Sequence, residues 1–190
     1  MEIRSVLKAA RRISLAEKQL ARLHEAQTYE EMEQEWYLLL VCTHSAYTLL
    51  CQGHSRSSDT DGWFETMVKA MHEHPVLEYM HHARNDEEHG IERSTSIGFA
   101  VEMSGDPIYR MSERGYLMQG LSPSKVDQRE FMTLVAVRDN SPKGKQKKRI
   151  VKAPTVEQLN FVDPDKRAQF AASIQIEFLK DFIEEAAKRV

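Results

Sequence analysis

The chain has 190 residues and is poor in several residue types that define other classes of protein. It contains 2 cysteines, 8 glycines and 6 prolines, which excludes a collagen-like or disordered chain. Its longest apolar run, residues 36–42, covers about a third of a bilayer span, so no transmembrane helix is predicted. The sequence is 41% hydrophobic and 29% charged, and we expect one globular domain with a real core.

The two cysteines, Cys42 and Cys51, fall in one predicted helix. Nine residues along a helix correspond to about 13 Å, which is too far for a disulfide bond. We therefore expect reduced thiols and a cytoplasmic location. Residues 1–20 are charged throughout and lack an apolar segment, so no secretory leader is expected.

Positive charge is concentrated in residues 138–152, which hold seven Lys or Arg and one Asp. This local charge of +6 leaves −9 on the remaining chain, because the whole chain carries −3. Turn-forming residues within the segment favour a solvated hairpin or loop. The alternative is a patch that contacts RNA phosphates. Its candidate RNA-binding residues are Lys143, Lys145, Lys147, Lys148 and Arg149.

Apolar residues recur at the helical period in five segments of the chain. The five predicted helices cover residues 3–27, 29–51, 62–74, 75–92 and 164–189. Thr28 and Glu31 predict a capping box at the start of the second helix, and Pro75 begins the fourth. The expected buried stripe of the first helix is Ile3, Val6, Leu7, Ala10, Ile13, Leu20 and Leu23. That of the last helix is Phe170, Ile174, Phe178, Phe182 and Ala186.

Between residues 96 and 153 the apolar residues alternate, which indicates strands. The predicted strands cover residues 97–103, 108–111, 116–118, 131–137 and 149–152. The fold is thus predicted to be mainly α, of the α+β kind: a helical bundle with one small antiparallel β-sheet inserted. Its parts are a four-helix core (1–95), a β-rich insertion (96–153) and a C-terminal helix (154–190) that packs back on the bundle.

The fourth helix carries most of the side chains that suit catalysis or metal binding. On a helical projection its packed sector holds Leu77, Met80, Ala83 and Ile91. A polar stripe on another side holds Glu78, His81, His82, Asn85, His89 and Glu92. Arg84 falls inside the packed sector, where a guanidinium is costly unless it finds a partner such as Glu87 or Glu88.

Residues 84–89 have the pattern R-N-x-x-x-H, late in a helix of a small bundle. This pattern resembles the signature of the HEPN superfamily of all-helical RNases, toxins and nucleotide-related domains. The resemblance covers residues 1–92 and the last helix, whereas the β-rich insertion is not part of the common HEPN core. It implies a metal-independent endoribonuclease, toxin-like or phage-defence-like, that needs no cofactor. It also implies a homodimer that unites two motifs, an RNA substrate and a cognate antitoxin or inhibitor protein.

The side chains of the motif suit that chemistry. His89 can transfer protons near neutral pH, and Arg84 can bind phosphate oxygens with two hydrogen bonds. Asn85 lies one turn before His89 and can orient it or the phosphate. On a straight helix Arg84 and His89 point about 140° apart, and the implied dimer would relieve this separation.

Two other functions remain open from the sequence. One is a catalytically inactive, HEPN-like interaction or scaffold protein. The other is a metal-binding helical bundle, because Glu78 and His81 have the E-x-x-H spacing of di-iron bundles. The alternative metal ligands are Glu78, His81, His82 and His89.

Overall fold

The structure is a computed structural model that describes residues 1–56, 62–89, 93–103, 106–111, 128–139, 149–155, 157–160, 162–163 and 166–190. The helices are α1 (Ile3–Glu25), α2 (Tyr29–Ser55), α3 (Trp63–Glu73), α4 (Pro75–His89) and α5 (Arg167–Ala187). The strands are β1 (Thr95–Met103), β2 (Asp106–Met111), β3 (Gln128–Leu134), β4 (Val137–Asp139) and β5 (Arg149–Val151). The predicted fold class, mainly helical with a small antiparallel β-structure, is confirmed.

α1 and α2 form a long helical hairpin. The predicted capping box is present: the Thr28 hydroxyl accepts from the Glu31 N–H, and the Glu31 carboxylate accepts from the Thr28 N–H. At the other end of the hairpin, Gly53 lies directly against Ser5. A Cβ atom at Gly53 would lie 2.6 Å from the Ser5 Cβ, so only glycine permits this close approach.

The buried face of α1 differs from the predicted stripe. Val6, Ile13 and Leu23 are buried as expected, but Ile3 and Leu7 are 54% and 57% exposed. Ser5, Ala9 and Ala16 are buried instead. Small side chains let α1 pack closely against α2, and this rotates the larger apolar residues toward solvent.

α5 contacts α1, α2 and α4, so its buried surface is broad. Phe182 and Ala186 are buried as predicted, whereas Phe170, Ile174 and Phe178 are only partly buried. The predicted stripe packs against the core, but it lies toward the edge of the buried surface rather than at its centre. The centre is made of small and aliphatic residues, which allow the neighbouring helices to approach. They include Ala168, Ala171, Ala172, Ile176 and Leu179.

The strands form two antiparallel sheets rather than the one predicted. The three-stranded sheet has the order β2-β1-β3, with Gly98 opposite Met111 on one side and Phe131 on the other. β4 and β5 form a separate two-stranded sheet. The predicted strand 131–137 is divided because Val135 donates its N–H to the Ser94 carbonyl and accepts from the Tyr79 hydroxyl. The predicted strand at 116–118 lies outside the described residues.

Within the described ranges, none of the helices combines the length and the apolar character that a membrane crossing requires.

Candidate functional site

α4 packs against several other elements of the fold. It contacts α2, α3, α5 and both strands of the β4–β5 sheet. Leu77, Met80 and Ala83 are buried as predicted, and so is Tyr79. His82 is also buried, although the helical projection places it on the polar stripe rather than in the packed sector. The reason is that neighbours surround α4 on several sides rather than on one.

The R-N-x-x-x-H motif occupies the C-terminal end of α4. Arg84 and Asn85 are both half-buried, and the Arg84 Nη1 donates a hydrogen bond to the Asn85 Oδ1 at 3.2 Å. His89 is the last residue of α4, and its side chain lies outside the described part of the structure. The helix separates His89 from Arg84 by about 7.5 Å of rise and about 140°. The structure thus brings together two of the three motif residues.

Glu87, considered above as a partner for Arg84, binds Ser94. Its Oε1 accepts from the Ser94 N–H at 2.8 Å and from the Ser94 hydroxyl at 2.6 Å. The carboxylate therefore joins the end of α4 to the start of β1. Glu88, the other candidate partner of Arg84, has its side chain outside the described part.

Ser94 is fully buried and forms the centre of a polar junction. Its hydroxyl accepts from the Trp36 indole N–H at 3.0 Å while donating to Glu87. Its carbonyl accepts from the Tyr79 hydroxyl at 2.8 Å and from the Val135 N–H at 3.0 Å. We call these residues, Trp36, Tyr79, Glu87, Ser94 and Val135, the Ser94 junction. It connects α2, α4, β1 and the β3–β4 bend.

A second polar region, the histidine cluster, lies where α2, α3 and α4 meet. His81 is at its centre, with ring centroids 5.8 Å from His44, 5.7 Å from His72 and 5.3 Å from His82. The Tyr47 ring lies edge-on to His81 at 5.9 Å. Burial raises the pKa of the Tyr47 hydroxyl, so this phenol stays protonated across the physiological pH range.

A small cavity adjoins the histidine cluster. Its volume is about 10 Å³, room for about one water molecule. His44, His81, Tyr47 and Gln175 line it together with apolar residues. Gln175 is 8% exposed, and its Oε1 is buried without a hydrogen-bond partner among the described residues.

The described residues contain no group of three or more His, Cys, Asp or Glu side chains placed to share a metal ion. Glu78, His81 and His82 of the alternative metal set accordingly form no such group, and the fourth member, His89, has its side chain outside the described part. The two cysteines are free, as expected. Burial raises the pKa of both thiols, which makes them poor nucleophiles at neutral pH.

Most of the basic segment singled out in the sequence lies outside the described residues. This applies to Lys143, Lys145, Lys147 and Lys148. Arg149 is the first residue of β5 and pairs with Asp139 of β4 in the strand register. Its side chain also lies outside the described part, so a role of this segment in RNA binding stays a prediction.

Comparison with known proteins gives no match: no protein-family model, curated protein or solved structure is similar to this chain.

Proposed function

We propose that the protein is a metal-independent endoribonuclease whose site lies at the C-terminal end of α4. Arg84, Asn85 and His89 would form one half of the site, and the same residues of a second copy would form the other half. A two-fold dimer repeats each residue, so one motif per chain supplies two imidazoles.

The Arg84–Asn85 hydrogen bond is the observation that carries this proposal. A guanidinium whose Nη1 is held by a neighbouring amide is oriented before a ligand arrives, and preorganised cations stabilise the charge that develops on a phosphorane. Both side chains are half-buried rather than fully enclosed, a condition that phosphate binding requires.

The Ser94 junction supports the same site. Glu87 lies between Asn85 and His89 in sequence, and it fixes this part of α4 to Ser94 through two short hydrogen bonds. An anchored helix end holds its side chains in a defined direction, which catalytic positioning requires.

The proposed reaction is a transesterification. His89 removes the proton of a 2′-hydroxyl, whose oxygen then bonds to the adjacent phosphorus. The bond from phosphorus to the 5′-oxygen breaks, and this oxygen takes a proton from the partner's His89. The products are a 2′,3′-cyclic phosphate and a 5′-hydroxyl, while Arg84 neutralises the phosphorane oxygens.

The test is cleavage of single-stranded RNA in the presence of EDTA. His89→Ala should abolish cleavage and leave the free energy of unfolding within about 1 kcal/mol. Arg84→Ala should also abolish cleavage, with a larger loss of stability because the side chain is half-buried. His74→Ala is the matched control, since His74 is an exposed histidine that directly precedes α4 and should leave cleavage unchanged.

Cleavage by His89→Ala at the wild-type rate, or activity that needs a divalent metal, would refute the proposal. A cleaving wild-type protein should sediment at about 44 kDa, twice the chain mass of 22.0 kDa. An active strict monomer would contradict the two-copy site.

A further inference from the structure

The outer face of α1 carries a row of exposed cations. Six basic residues of this helix are exposed to solvent: Arg4, Lys8, Arg11, Arg12, Lys18 and Arg22. On the same helix the only acidic residues are Glu17 and Glu25. Glu17 is occupied by Lys180 of α5, with 2.7 Å between Nζ and Oε1. The outer face of α1 is therefore strongly positive, although the whole chain carries −3.

These six cations differ from several other cations of the described residues. Among the described residues no carboxylate forms an ion pair with any of them. By contrast, Lys69 pairs with Glu73, Lys180 with two glutamates and Lys188 with Glu185. Unpaired charge on one face lowers the cost of binding an anion, because no existing ion pair has to break.

The row is straight as well as positive. Five of the six cations, all except Arg12, fall within a sector of about 80° on the helical projection. From Arg4 to Arg22 they extend over about 27 Å of helix rise. A linear array of cations matches a linear array of anions better than a compact anionic ligand.

We propose that this face of α1, which we call the α1 row, binds the phosphate backbone of single-stranded RNA. The choice of RNA rests on the function proposed above. A membrane surface fits less well, because an interfacial helix separates its apolar residues from its charged ones. Here the exposed Ile3, Leu7 and Leu15 are interspersed with the cations, and the main apolar face of α1 is buried against α2.

The α1 row leads toward the motif. α1 ends at Glu25, and α2 starts at Tyr29 after a short connection. In the first turns of α2, the Glu33 carboxylate lies 2.6 Å from the Arg93 guanidinium. Arg93 lies four residues after His89 and directly precedes Ser94. A strand held along the α1 row would thus pass from Arg22 toward the end of α4.

The experiment measures binding separately from cleavage. A labelled single-stranded RNA is titrated in EDTA at several salt concentrations, with His89→Ala as the parent protein to prevent turnover. Replacing Lys8, Arg11 and Lys18 together by Gln should reduce the slope of log affinity against log salt by up to about 0.7 for each lost contact. The melting temperature should not change, because all three side chains are exposed.

The matched control replaces three exposed lysines that lie outside α1, namely Lys69, Lys166 and Lys188, by Gln. It changes the net charge equally and should keep the parent slope. Equal effects of the two triple variants, or no effect of the row variant, would overturn the inference. A row variant that binds RNA like the parent but loses binding to anionic lipid vesicles or to an acidic peptide would also overturn the inference. If RNA binding depends on the row but the wild-type protein does not cleave RNA, the result refutes the proposed function and leaves this inference standing.

Discussion

Two polar regions contact α4, and they differ in that a buried acceptor without a donor lies beside one of them. In the Ser94 junction, the N–H, the carbonyl and the hydroxyl of Ser94 all have partners from other segments. In the histidine cluster, rings contact one another around a small cavity, and the Gln175 Oε1 beside it has no hydrogen-bond partner among the described residues.

The difference indicates separate roles for the two regions. A saturated buried network is costly to disturb and specifies one arrangement of the elements that it joins. A buried acceptor without a donor contributes no such specificity, and its removal costs little. We therefore expect substitutions in the Ser94 junction to destabilise the fold, and removal of the Gln175 amide to be tolerated. The following substitutions test this comparison, from the largest effect to the smallest.

Glu87→Ala should destabilise the protein by about 2 kcal/mol, because it leaves the buried Ser94 N–H and hydroxyl without their charged acceptor. Glu87→Gln keeps an acceptor oxygen and should cost about half as much. Urea unfolding measures both changes. Glu25→Ala, at an exposed carboxylate that ends α1, is the control and should stay within about 0.5 kcal/mol. Equal stability of Glu87→Ala and the control would show that the junction is not saturated as described.

Tyr79→Phe should cost about 1 kcal/mol, since it removes only the hydroxyl, whose single proton the Ser94 and Val135 carbonyls share. The Ser94 carbonyl keeps the Val135 N–H as a donor, and this limits the loss. Tyr37→Phe is the matched control, because Tyr37 is 40% exposed. If both variants unfold at the same urea concentration, the hydroxyl of Tyr79 makes no net contribution.

Local pattern was sufficient to predict much of the helical architecture. The capping box of Thr28 and Glu31 and the buried residues Met80 and Ala83 all depend on neighbours within one or two turns. The buried face of α1 could not be predicted in the same way. Ile3 and Leu7 follow the helical period, yet the close packing allowed by Ala9 and Gly53 turned them outward.

The Ser94 junction could not be predicted because its members are distant in the chain. Trp36 lies 58 residues before Ser94, and Tyr79 reaches a carbonyl 56 residues away at Val135. No period or spacing records such contacts, so Glu87 was considered only as a partner for Arg84. The motif itself was visible because its residues are local. Its role as an active site stays a prediction that the cleavage experiment decides.

Gln175→Met should have the smallest effect of the three substitutions, and it should stabilise the protein by up to about 1 kcal/mol rather than destabilise it. Methionine is close to glutamine in length and shape, so no large cavity or clash is created. The substitution removes an amide oxygen that is buried without a partner, and its desolvation cost disappears with it. Met71 and Leu179, which also line the cavity, provide apolar contacts for the new side chain. Gln34→Met, at an exposed position of α2, is the control and should leave the unfolding midpoint unchanged. A loss of more than about 1 kcal/mol in Gln175→Met would mean that a bound water satisfies the amide, and the contrast between Gln175 and the Ser94 junction would disappear.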